Sequence, residues 1–126
     1  MVETLRTERG QALVEFVIVL PLIFALIFLV VYAGIGFNRH LLVTDAARVA
    51  ARAGAVARFD AREPCEAARD AAANSVGGLS IDVTCASSGL PGDPFSVTVR
   101  HVLDIRLPLL PLEDVDLEST ATERLE

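Results

Sequence analysis

The chain has 126 residues, two cysteines, a formal net charge of −6 and no lysine, so all eleven basic residues are arginine. That length is one small unit and not several domains, and an acidic chain without clustered Lys and Arg is not built to hold a nucleic acid. Hydrophobic residues reach 52%, but one apolar run and abundant alanine inflate that figure, so it does not indicate a large soluble core.

Residues 1–10, MVETLRTERG, are polar and carry Arg6 and Arg9. They read as a leader, too short and too charged to fold. Residues 16–37, FVIVLPLIFALIFLVVYAGIGF, contain no charge. As a helix they span roughly 33 Å, against about 30 Å for a bilayer core. The run exceeds a secretory h-region and no convincing A-x-A cleavage site follows it, so the segment is expected to stay attached. No cysteine lies near the leader, so no lipoprotein-type anchor is offered. Pro21 removes one helical hydrogen bond and is expected to kink the helix, which membrane helices tolerate. Gly34 and Gly36 mark a second soft spot beside Tyr32, a ring suited to the interface. The positive-inside count does not settle topology, because Arg39, Arg48 and Arg52 balance Arg6 and Arg9. The short leader and long C-terminal part favour the N-terminus inside and the C-terminal part outside.

Residues 38–59 are predicted to continue the same helix, since alanine dominates them. With the apolar run they form a rod of roughly 45 residues, on the order of 65–70 Å. Asp45, Arg48 and Arg52 share one face, with Asp45 able to pair with Arg48. Ala46, Ala50, Ala53 and Ala57 share another, where a second backbone can approach closely. Packing against the protein's own sheet is favoured there over a seam between subunits.

The helix is expected to break over residues 59–63. A second helix starts at Pro64, a residue suited to the first turn, and stops at Gly77 and Gly78. Three alternating segments follow. Residues 79–86 place Leu79, Ile81, Val83 and Cys85 on one face. Residues 87–94 are turn chemistry. Residues 95–107 place Phe95, Val97, Val99, His101, Leu103, Ile105 and Leu107 together. Residues 108–113 are a proline-bounded link, and residues 114–125 alternate weakly through Val115, Leu117 and Ala121. The predicted fold is α+β, with a long N-terminal helix, a short second helix and an antiparallel meander of about three strands. In such a small head a staple matters. Cys65 and Cys85 lie twenty apart, not as C-x-x-C and with no second Cys or His at metal spacing. Outside the cytoplasm they would form a disulfide worth about 3 kcal/mol; two buried free thiols are the alternative.

The functional pattern stands before the apolar run. Gly10 ends the charged leader, and Glu15 follows five residues later, immediately before Phe16. A carboxylate at a bilayer core is costly, about 2.5–3.5 kcal/mol at a helix centre, and needs a partner. Near a helix N-terminus it could instead answer the macrodipole. With glycine and leader before it, the pattern points to cleavage after Gly10, which leaves Gln11 as the new N-terminus. The freed amine of a neighbouring subunit would then pair with Glu15 and set the axial register.

RGQALVEFVIVLPLIF resembles the amino-terminal signature of TadE-like pseudopilins, G-x-A-x-V-E-F followed by an apolar stretch with an early L-P. Gly10, Ala12, Val14, Glu15, Phe16, Leu20 and Pro21 carry the match. DAARVAARAGAVAR (45–58) is similar to the family's next block, an A-A-R-x-G-A-R type run, although VAARA separates Arg48 from Gly54. The strand-rich tail ending in Arg124 and Glu126 also fits. The specific likeness covers roughly residues 9–58; Gln11 and Pro21 favour this family over ordinary type IV pilins. It implies a minor pilin or pseudopilin of a tight-adherence (Flp) pilus system, held in the cytoplasmic membrane and matured by a prepilin peptidase. Its partners would be other pilins, the assembly platform and membrane lipid, with a leader over 1–10, a membrane helix over 11–37 and a head over 38–126. No cofactor and no catalysis are expected. The competing reading is an uncleaved single-pass protein whose head binds a partner unrelated to pili.

Other polar residues read as structural. His40 suits the outer headgroup layer and His101 a paired core or edge position. Asp104, Asp114, Asp116 and Glu118 lack a calcium-loop pattern and read as a solvated strand face. Leu109 and Leu110 are a candidate subunit contact, with burial against the protein's own sheet the favoured alternative.

Overall fold

A computed structural model describes residues 2–57, 62–87, 89–104, 106–107, 110–111 and 114–125. The element order is α1 (Val2–Val56), α2 (Pro64–Ser75), β1 (Asp82–Ala86), β2 (Pro94–Leu103), β3 (Arg106–Leu107), β4 (Leu110–Pro111) and β5 (Val115–Arg124). The chain divides into two compact units, Met1–Gly36 and Phe37–Glu126.

In the first unit the fold is helix alone. Residues 2–10, expected to be unfolded, lie inside α1. Once a helix is nucleated, each added residue gains a hydrogen bond at little further cost. Pro21 lies within the helix. The apolar side chains from Leu13 to Val31 are exposed, Leu20 being half-buried. This helix is long and apolar enough to cross a membrane, which points to a single-pass membrane protein.

In the second unit the same helix has an inside face. Val43, Ala46, Ala47, Ala50 and Ala51 are fully buried, and Ala55 and Ala57 nearly so. Spacings of three and four put them on one stripe. The stripe is wider than the expected one, which lacked Ala47, Ala51 and Ala55, and Ala53 is only half-buried. Small side chains bring the backbone close to its neighbours. Gly54 takes this furthest, since a Cβ there would overlap the Phe95 ring, with Cζ 2.6 Å away. Asp45 and Arg48, expected to pair, are both exposed and form no ion pair among the described residues. An exposed pair of this kind gains too little to fix two side chains.

α2 begins where Pro64 fixes the first turn. The Glu63 carboxylate accepts hydrogen bonds from the amides of Cys65 (2.9 Å) and Glu66 (3.2 Å) and so caps the helix. It ends at Gly77, whose φ of 61° is the left-handed conformation that glycine adopts without strain. Ala67, Ala68 and Ala72 face the core.

The sheet is antiparallel with order β1-β2-β5. Phe95, Val97 and Val99 of β2 are its buried centre, flanked by Val83 of β1 and by the half-buried Leu117 and Ala121 of β5. The outer face is polar, as one solvated face of an antiparallel sheet should be. Ser96 and Thr122 share a side-chain hydrogen bond of 2.8 Å, and so do Thr98 and Thr120. β1 begins at Asp82 and not at Leu79. Leu79 and Ile81 still pack on the core, but the Ser80 carbonyl lies 2.7 Å from His101 Nδ1 and so engages the imidazole. The long strand expected over 95–107 ends at Leu103, and the expected link over 108–113 contributes to a second, two-stranded ladder, β3 with β4. Ile105, Leu109, Glu126 and the side chain of Leu110 lie outside the described residues, and with them the candidate contact at the Leu109 turn.

Candidate functional site

Gly10, Gln11, Glu15 and Phe16 all lie on α1, in the first unit, and all four side positions are exposed. Among the described residues nothing outside the helix's own nearby backbone lies within 4 Å of where a Cβ on Gly10 would sit, and its backbone is helical. The fold therefore has no use for a glycine at position 10, where alanine would favour the helix by about 1 kcal/mol. Glu15 forms no ion pair among the described residues. Because α1 begins at Val2, Glu15 is more than three turns from the helix start in the uncut chain. The macrodipole, which acts within the first turn, does not account for it there.

Pro21, Tyr32, Gly34 and Gly36 also lie in the first unit, and the remaining polar and cysteine candidates lie in the second. Cys65 on α2 and Cys85 on β1 are joined by a disulfide, with Cα atoms 5.9 Å apart. His101 is buried, in contact with the Ser80 carbonyl, while His40 is exposed and its backbone carbonyl accepts the Thr44 hydroxyl at 2.9 Å. Asp104, Asp114, Asp116 and Glu118 are exposed; Asp104 follows β2, Asp114 precedes β5, and Asp116 and Glu118 lie on β5. Asp116 is paired with Arg100 across β2 and β5. The hydrogen bond that Arg100 donates to the Asp116 carboxylate, then the Asp116 charge, holds the Arg100 pKa above the ordinary arginine value.

Sequence patterning did not reveal the Arg69 side chain, which donates from Nε to the Val83 carbonyl at 3.4 Å, nor the groove beside β5 into which Arg48 and Arg52 project. Both depend on contacts between residues far apart in the chain, and periodicity carries no signal for them.

No curated protein and no solved structure matches the chain. A family model does match, over the stretch that begins at Gly10, contains Glu15 and the whole apolar run, and ends at Arg52 in the alanine-rich part of α1: residues 10–52 match the family described as TadE-like protein.

Proposed function

We propose that this chain is the precursor of a Tad-type pseudopilin or minor pilin, cut by a prepilin peptidase between Gly10 and Gln11. The short N-terminal side stays in the cytoplasm, the apolar part of α1 is held in the cytoplasmic membrane, and the head faces outward. Gln11 becomes the new N-terminus. Its free amine meets Glu15 of an adjacent subunit, so a charge that is costly in lipid becomes a register mark between neighbouring helices. Phe16 and the following side chains pack in the lipid and against other pilins, and Pro21 supplies a bend. The role is assembly or priming of a thin pilus, with other pilins and the assembly platform as partners and no catalysis.

The observation that carries this reading is Gly10. A glycine that the helix does not need stands at the first residue of the TadE-like match, five residues before a carboxylate that forms no ion pair among the described residues. The disulfide supports an oxidising compartment for the head.

The test is co-expression with the cognate peptidase and pilus genes. Gly10→Ala should leave most of the protein uncut, although the substitution favours the helix. Glu15→Ala should be cut normally and yet lower pilus output at least tenfold. Normal cutting of Gly10→Ala contradicts the processing site, and normal pilus output from Glu15→Ala removes the ion pair.

A further inference from the structure

The sheet has two edges, and the fold treats them differently. β1 is covered: Arg69 of α2 reaches the Val83 carbonyl, and the disulfide ties Cys85 to α2. β5 is the other edge, and the register shows which of its backbone groups face outward. The Val83 carbonyl points away from β2, so Val83 and Val99 are a non-hydrogen-bonded pair and Val99 turns its N–H and C=O toward β5. Leu125 gives the same phase, since its N–H donates to the Asp93 carbonyl at 3.0 Å. Odd-numbered residues of β5 therefore bond to β2. Asp116, Glu118, Thr120, Thr122 and Arg124 present their N–H and C=O groups to an edge that nothing caps among the described residues.

Beside the C-terminal half of that edge runs a groove of about 630 Å³, with Arg48 and Arg52 of α1 on one wall and Thr120, Thr122 and Glu123 of β5 on the other. Neither arginine is in an ion pair among the described residues. Two cations against one carboxylate make the groove positive in a chain whose net charge is −6.

We propose that the β5 edge is a docking site for an extended segment of another polypeptide, added to the sheet as a fourth strand. β5 supplies the ladder hydrogen bonds, and Arg48 and Arg52 receive acidic side chains on the helix-facing side of the incoming strand. A second copy fits poorly: on that side its own β5 would offer Val115, Leu117, Ser119, Ala121 and the single carboxylate of Glu123. The docking site does not depend on cleavage after Gly10, so its failure and the failure of the processing scheme are separately visible.

The test uses the full chain in detergent micelles and two capped ten-residue probe peptides, one alternating valine with glutamate and the other valine with lysine. The glutamate peptide should bind at least tenfold tighter and slow amide exchange at Thr120 and Thr122. Arg48→Glu with Arg52→Glu should reverse the preference. Thr122→Pro removes an outward N–H and leaves the β2 ladder intact, and should weaken binding at least tenfold. If that variant fails to fold, the exposed arginine pair carries the test alone. No binding, equal binding of both peptides, or unchanged exchange at Thr120 and Thr122 overturns the proposal. So does concentration-dependent dimerisation through β5, which assigns the edge to a second copy. Arginine-dependent binding seen only to phosphatidylglycerol vesicles, and not to the peptide, also overturns it.

Discussion

One helix serves two solvents. Between Leu13 and Val31, α1 displays leucine, isoleucine, valine and phenylalanine in every direction. Between Val43 and Ala57 it buries a stripe made almost wholly of alanine. Large side chains suit the first stretch because lipid fills whatever shape they leave. Small ones suit the second because a sheet must come close, and at Gly54 even a methyl group is too much. Charge marks the second stretch, which carries Asp45, Arg48 and Arg52, but among the apolar residues of the two it is side-chain volume that differs.

A pair of phenylalanines gives the largest test of this contrast. Phe95→Ala empties the centre of a small core and should destabilise the head by about 3–5 kcal/mol, read by chemical denaturation of the detergent-solubilised protein. Phe24→Ala, in the apolar run, should leave head stability within about 0.5 kcal/mol. Equal effects would break the comparison. Next is the staple. Replacing Cys65 and Cys85 with serine should remove about 3 kcal/mol, on the loop-entropy account of a twenty-residue separation, and the same denaturation curve reports it. A glycine pair then sharpens the difference in packing. Gly54→Ala forces the Phe95 ring to shift and should destabilise by about 1–3 kcal/mol, whereas Gly10→Ala should leave the melting temperature of the head unchanged. The smallest effect belongs to Arg62→Ala, which breaks an exposed ion pair to Asp70 at 2.6 Å and should change stability by less than about 1 kcal/mol.

Local features of this fold were legible where local chemistry decides them. Pro64 and Gly77 bracket α2 in the sequence as they do in space. The three alternating segments pair in chain order as β1-β2-β5, with the β3–β4 ladder standing between the last two in sequence, and His101 falls on the buried face that its parity assigns. What escaped depends on distant partners. Leu79 and Ile81 continue the alternation of β1, but an imidazole engages the Ser80 carbonyl and the ladder stops short. Gly54 reads as one more small residue in an alanine-rich run until Phe95 is placed against it. Glu63 is an uncommon residue for a helix cap, and its two hydrogen bonds to α2 have no sequence signature. For the candidate site the reverse holds. Gly10 and Glu15 stand out in the sequence by their spacing, and the fold adds that neither is required by the packing around it.

The most direct measurement is the intact mass of the protein extracted from the membranes of its native host. The proposed maturation predicts a chain that begins at Gln11 and carries a mass two hydrogens below that of its reduced form. A chain that keeps residues 1–10 in cells that possess the peptidase would contradict it.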